Sequence, residues 1–187
     1  GRSLCYSLNK DDKTAEVTYE GYTDYAKYAY SGDVVIPEKV VFDGEEYTVT
    51  RIGNYAFGYC YDLTSVTIPN SVTSIGLRAF KQCGGLTSVT IPGSVTAIES
   101  FAFNGMDNLT SVTLPEGLTS IGNAVFGGDK LLTTITIPAS VTSIGHFPFW
   151  GCDGLKTLQV ASGNTKYDSR GGCNAIIETE TNKLIQG

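Results

Sequence analysis

The apolar positions of this chain recur every 23 residues. Ile52, Ile75, Ile98, Ile121 and Ile144 keep that step. Phe57, Phe80, Phe103, Phe126 and Phe149 keep it too, as do Pro69, Pro92, Pro115 and Pro138. Several registers sharing one period without slippage over five copies mark a solenoid, in which equivalent residues of successive coils stack. One copy, Val72 to Pro92, has as its apolar set Val72, Ile75, Ala79, Phe80, Cys83, Leu86, Val89 and Ile91. Its last part alternates: Val89 and Ile91 turn one way, Ser88 and Thr90 the other, which predicts a short half-buried strand. Pro92 ends the strand because it has no N–H for a ladder. The stretch around Ala79 and Phe80 reads as a helical turn on the opposite side. No single unit can bury this set alone. The copies must therefore stack, each strand pairing in parallel with the next at about 4.8 Å.

The array extends past the clearest copies. Val34-Val35-Ile36-Pro37 reads as an earlier strand, and Pro37 lies 32 residues before Pro69. The excess over one period fits a hairpin in Val40–Val49, with Asp43-Gly44 as its turn. Leu155, Leu158 and Val160 continue the pattern, giving six coil strands. Beyond a Gly-, Asn-, Asp- and Ser-rich stretch from Ser162 to Asn174, residues Ala175 to Ile185 read as another hairpin around Glu180–Asn182. Near the start, Leu4–Leu8 and Ala15–Tyr19 flank Asn9–Lys13 in a hairpin pattern suited to capping a solenoid. The expected organisation is a capping hairpin region over 1–32, a solenoid over 33–160 (clearest over 49–160), and a loop and hairpin over 161–187 that continue the array. An abrupt end at Leu184-Ile185-Gln186-Gly187 and a start at Gly1 without an apolar leader are what a trimmed piece of a longer array would show.

The run Leu63-x-x-Val66-x-Ile68-Pro69, followed by Val72-x-x-Ile75-Gly76-x-x-Ala79-Phe80-x-x-Cys83-x-x-Leu86, resembles the BspA-type leucine-rich repeat of bacterial surface proteins. The resemblance covers about residues 33–187. It implies a leucine-rich-repeat right-handed superhelix with a parallel β-sheet on one face, short helical turns or loops on the other, and β-hairpins at the N-terminus and C-terminus. The chain lacks the asparagine ladder of commoner leucine-rich repeats. Gly53, Gly76, Gly122 and Gly145 recur, but Glu99 takes that place in the third copy, so the position does not require glycine's backbone freedom.

Charge and chemistry narrow the function. Net charge is −6 and no stretch approaches the length of an apolar membrane span, which argues against a nucleic-acid partner and against membrane insertion. Residues 1–48 carry ten acids against five bases, whereas residues 49–160 carry six against five. A near-neutral, hydroxyl-rich surface steers partners weakly, so shape, hydrogen bonds or aromatic contact must hold them. The one histidine, His146, has Asn54, Leu77, Ser100 and Asn123 as repeat equivalents and reads as a variable surface residue. Gly84-Gly85 and Gly127-Gly128 lack a phosphate-loop context, and no Cys-x-x-Cys occurs. Cys60, Cys83 and Cys152 share one core position with Met106 and Asp129, so they read as buried free thiols. Cys60 and Cys83 lie on adjacent coils, close enough for a disulfide to be conceivable, but the equivalence to Met106 argues against one. Cys5 and Cys173 lie near opposite ends. No catalytic residue, cofactor or metal site is assigned.

Two surfaces are candidates for binding. On the strand face Ser65, Ser88, Ser111, Thr134 and Thr157 form one row, and Thr67, Thr90, Thr113, Thr136 and Gln159 the next. The plainer reading is that threonine suits strands and that hydroxyls keep an exposed sheet soluble. The second set is aromatic: Tyr55, Tyr59, Tyr61, Phe101, Phe147 and Trp150. Other copies carry Arg78, Lys81, Gln82, Gly84, Asn104, Ala124 or Gly127 there, and positions that accept Lys and Arg are expected to be exposed. Exposed aromatics anchor interfaces; the plainer reading is packing between neighbouring coils. Tyr19, Tyr22, Tyr25, Tyr28 and Tyr30 are expected to pack the cap. The whole reads as a non-catalytic interaction module. The family resemblance implies a secreted or cell-surface protein that attaches to host matrix or cell-surface proteins. A carbohydrate-binding surface and a spacer within a larger surface protein are the alternatives.

Overall fold

Each 23-residue copy closes as one coil, and the way it closes follows from a few fixed residues. The carbonyls of Pro69, Pro92, Pro115 and Pro138 accept hydrogen bonds from the N–H of Val72, Val95, Leu118 and Val141 at 3.0–3.3 Å. These tight turns reverse the chain after each of the alternating stretches that end at Ile68, Ile91, Leu114 and Ile137. The structure, a computed structural model, describes residues 3–19 and 30–186.

In chain order the strands are β1 (Cys5–Asn9), β2 (Thr14–Thr18), β3 (Gly32–Val35), β4 (Lys39–Phe42), β5 (Glu45–Ile52), β6 (Leu63–Thr67), β7 (Ser74–Ile75), β8 (Ser88–Thr90), β9 (Ala97–Ile98), β10 (Ser111–Thr113), β11 (Ser120–Ile121), β12 (Thr134–Ile137), β13 (Ser143–Ile144), β14 (Thr157–Val160), β15 (Tyr167–Asp168), β16 (Ile176–Glu178) and β17 (Leu184–Gln186). A single 3-10 turn, Arg170–Gly172, is the helical content of the described residues.

The six expected coil strands are present as β3, β6, β8, β10, β12 and β14, but they form three parallel pairs, β3/β6, β8/β10 and β12/β14, rather than one unbroken ladder. A second parallel ladder, absent from the sequence reading, runs β2-β5-β7-β9-β11-β13 on another side of the coil. Its repeat unit is two residues, Ser-Ile or Ala-Ile, too short to display the alternation by which strands are recognised. The hydroxyls of Thr73, Thr96, Thr119 and Thr142 each donate to the carbonyl of the threonine one coil back, at 2.9–3.4 Å.

The expected helical turn at Ala79-Phe80 is also corrected. That segment is a run of tight turns in which two positions per coil have positive φ. Its N–H groups reach forward to the next coil: Phe57 to Ala79, Phe80 to Ala102, Phe103 to Val125 and Phe126 to Pro148, at 2.7–2.9 Å. A helix would turn those donors inward on itself, where they could not bridge coils.

The core is a single column system. Phe57, Phe80, Phe103, Phe126 and Phe149 stack face to face, with centroids 5.0, 5.3, 5.5 and 5.7 Å apart and planes within 7°. Tyr30, itself buried, closes the N-terminal end of the column at 5.2 Å from Phe57. Its hydroxyl ties Cys5 and Thr18 of the first hairpin to the solenoid. Tyr22, Tyr25 and Tyr28 lie outside the described residues.

The expected hairpins form. β1 and β2 pair antiparallel and β2 joins the short-strand ladder. β4 and β5 pair antiparallel across Asp43-Gly44, whose φ values of 51° and 77° are those of a type I′ turn. β16 and β17 pair antiparallel at the far end, with β15 as an added third strand.

The recurring glycine is explained by crowding. Gly76 and Gly122 do not have positive φ, but a Cβ at Gly76 would lie 2.6 Å from Asn54 Oδ1, and one at Gly122 2.4 Å from Ser100 N. At the third copy Glu99 stands in place of the glycine, and its Oε2 accepts from Leu77 N at 3.1 Å, beside Asn54 Oδ1 at 2.9 Å.

Candidate functional site

The strand-face hydroxyls point outward as expected. Ser65, Thr67, Ser88, Thr90, Ser111, Thr113, Thr134 and Thr136 are all exposed. They do not form one uniform array. Ser65 Oγ and Thr64 Oγ1 donate to Asp33 Oδ1 at 2.6 and 2.9 Å, and these bonds hold the Asp33 carboxyl below its ordinary range. Ser88 faces Ser111 and Thr90 faces Thr113 across the β8/β10 pair. Between β10 and β12 no ladder forms, and a shallow groove of about 370 Å³ opens there. Ser111, Thr113, Thr134, Thr136 and Glu116 line it over a floor of Val112 and Leu114.

The aromatic set lies on the turn segment between the two ladders. Tyr55, Phe101 and Phe147 share one register with Arg78 and Ala124, and all five have positive φ: 59°, 60°, 52°, 54° and 46°. Left-handed backbone costs an L-residue about 1–2 kcal/mol, yet none of the five is glycine. The conformation turns each N–H toward the next coil: Tyr55 donates to Leu77, Arg78 to Ser100, Phe101 to Asn123 and Ala124 to His146, at 2.8–3.1 Å. Each of these bonds offsets part of the strain. Tyr59 shares a second left-handed register with Gln82, Gly105, Gly128 and Gly151.

Arg78 is where the sequence reading fails. A basic residue at this register predicts an exposed position, but Arg78 is half-buried. Its guanidinium carbon sits 5.5 Å from the Tyr55 ring centre and 5.2 Å from that of Phe101, and it donates to the Tyr55 hydroxyl. Lys81 lies over the Tyr59 ring at 5.8 Å. Tyr55, Tyr59 and Phe101 are therefore half-buried partners of basic side chains on the neighbouring coil. The alternation Tyr55, Arg78, Phe101 at the repeat step was the available signal. Phe147 and Trp150 differ: they are 65% and 68% exposed on a single turn.

The buried cysteines behave as core residues. Cys83 Sγ and Cys152 Sγ each donate to a phenylalanine carbonyl of the preceding coil at 2.9 Å, and Cys60 Sγ accepts from Tyr30 N. All five thiols are free. Burial pushes Cys60 up to about 11 and Cys152 up to about 12, so both stay protonated. Asp129, at the same register, is fully buried. Its Oδ1 accepts from Met106 N at 2.8 Å while Oδ2 has no partner, and burial pushes its carboxyl up to about 8. Among the described residues no group of three or more His, Cys, Asp or Glu gathers to hold a metal, and no helix is long and apolar enough to cross a membrane.

A model of the BspA type leucine rich repeat region matches six copies over residues 50–171. The chain belongs to the BspA-type leucine-rich repeat family. Solved structures agree with that membership. A leucine-rich repeat protein of Bacteroides ovatus is 34% identical, with a TM-score of 0.73 over 86% of this chain. A leucine-rich repeat protein of T. pallidum is 29% identical, with a TM-score of 0.70 over 84% of this chain and 67% of its own length. A leucine-rich cell surface protein of Faecalibacterium prausnitzii is 29% identical, with a TM-score of 0.57 over all of this chain and 60% of its own. The chain spans 40% of the length of the B. ovatus protein. No curated protein matches it. As a BspA-type array it supplies a rigid stack whose interior is repeated and whose turn surface varies from coil to coil.

Proposed function

We propose that this chain is a non-catalytic interaction module displayed outside the cell, binding host matrix or cell-surface proteins through the turn flank that carries Phe147 and Trp150. The observation behind this reading is the exposure of those two rings, 65% and 68%, where the preceding coil closes with Ala124 and Gly127. Closing a coil does not require either ring, and large exposed aromatics are the commonest energetic anchors of protein interfaces. The description of the F. prausnitzii relative as a cell surface protein supports the location.

The test is binding of the purified chain to immobilised extracellular-matrix proteins. Wild type should bind, and the double variant Phe147→Ala, Trp150→Ala should bind roughly tenfold or more weakly, the scale of one hot spot. Binding that survives the double variant undiminished places the contact elsewhere and ends this reading.

The groove between β10 and β12 favours a second reading, a carbohydrate surface. Four hydroxyls and the Glu116 carboxylate over an apolar floor are the donors and acceptors a sugar ring uses. A glycan-array signal abolished by Thr113→Lys and Thr136→Lys would select it. An array that binds neither matrix proteins nor glycans is a spacer.

A further inference from the structure

The turn-flank column has a missing rung. Equivalent φ values send the Cα–Cβ bonds of Tyr55, Arg78, Phe101, Ala124 and Phe147 in one direction from their coils, so these side chains form a single outer column. The first three rungs are filled: a guanidinium lies between two rings, 5.5 Å from one centre and 5.2 Å from the other. The fourth rung, Ala124, ends at Cβ, and the fifth, Phe147, is left 65% exposed. Phe101 and Phe147 thus occupy the rungs on either side of Ala124, whose side chain is a single methyl. The parallel phenylalanine column fixes the step here at 5.5 and 5.7 Å per coil. These two steps are slightly wider than the 5.0 and 5.3 Å steps across which Arg78 fills the interval between Tyr55 and Phe101.

We propose that the slot over Ala124 binds an arginine side chain of a partner protein, whose guanidinium inserts between Phe101 and Phe147 as Arg78 inserts between Tyr55 and Phe101. Two aromatic faces attract a flat cation along their quadrupoles. A guanidinium is planar and weakly hydrated, so it fits between rings better than an ammonium. The chain's own precedent, a guanidinium held by two rings of this column, favours a guanidinium guest over a neutral ring of similar thickness. The inference rests on reading this flank as an interaction surface and adds the chemistry it would recognise.

The probe is acetyl-Gly-Arg-Gly-amide, followed by the aromatic NMR resonances of Phe101 and Phe147. The peptide should shift both sets. The citrulline peptide, equal in shape but uncharged, should bind roughly tenfold more weakly, and the lysine peptide should fall between them. Ala124→Arg should fill the slot from within and abolish the shifts, in a fold that already accepts Arg78 one register earlier. Phe147→Ala, at an exposed site, removes one wall and should abolish them independently. Equal shifts from the citrulline peptide, or shifts retained in both variants, overturn the slot. Arginine-peptide binding without any matrix binding would overturn the matrix partner alone. Matrix binding that is lost in the aromatic double variant but unchanged in Ala124→Arg would overturn the slot alone.

Discussion

The inner column Phe57–Phe149 and the outer column Tyr55–Phe147 lie two residues apart on the same turns and obey the same period. They have opposite characters. The inner column is phenylalanine in every copy, buried, with its rings parallel within 7°. The outer column reads Tyr, Arg, Phe, Ala, Phe and ranges from half-buried to 65% exposed. An interior ring must match the rings above and below it at close-packed density, so one choice propagates through the stack. An outer side chain needs only a backbone that hands its N–H to the next coil, which Tyr, Arg, Phe and Ala all supply here. The outer column therefore varies freely where the phenylalanine column does not.

Substitutions can break or sharpen this contrast. The largest effect is expected from Phe103→Ala, which removes the middle ring of the inner column and should cost about 3–5 kcal/mol in urea unfolding. Phe101→Ala, two residues earlier, should cost about 1 kcal/mol, the worth of its stacking on Arg78. Equal costs would erase the distinction between the columns.

Next in size is Asp129, the inner residue most out of character. Its folded carboxyl titrates at about 8, above the ordinary 3.8. The folded state therefore holds a proton that the unfolded chain has lost, and stability falls as pH rises from about 4 to about 8. Asp129→Asn keeps an acceptor for Met106 N–H and removes the titration. Its melting temperature should be flatter over that interval and higher at pH 8, by an amount equivalent to about 1–3 kcal/mol. A wild-type profile without that decline would show the carboxyl to be well served where it lies.

The smallest effect tests the outer backbone. Ala124→Gly relieves a positive φ of 46° and should raise stability by about 1 kcal/mol, read from thermal unfolding. The same substitution at Ala102, an inner position without positive φ, should instead destabilise.

Much of the fold was legible before any coordinates. Ile, Phe and Pro at one step give the coil, and Asp43-Gly44 gives a hairpin turn, because each reports a local requirement. The short ladder β7-β9-β11-β13 was illegible, since two residues cannot show a period. The turn conformation at Ala79-Phe80 was misread because its reason lies in the next coil, whose carbonyls it must reach. The strand hydroxyls were placed correctly as exposed, but the break between β10 and β12 that makes a groove among them leaves no mark in the repeat. Arg78 was misjudged because a basic residue in one copy looks like exposure until its neighbours are known to be rings.

The sequence by itself determined the period, the stacking and the identity of the buried phenylalanine spine, because a ring stacked between rings is matched by the same residue in successive coils. The tertiary structure alone decided which outer side chains cover one another and which are left uncovered. That depends on the left-handed turns bringing residues 23 apart in sequence to neighbouring rungs, where Arg78 meets two rings and Phe147 stays exposed.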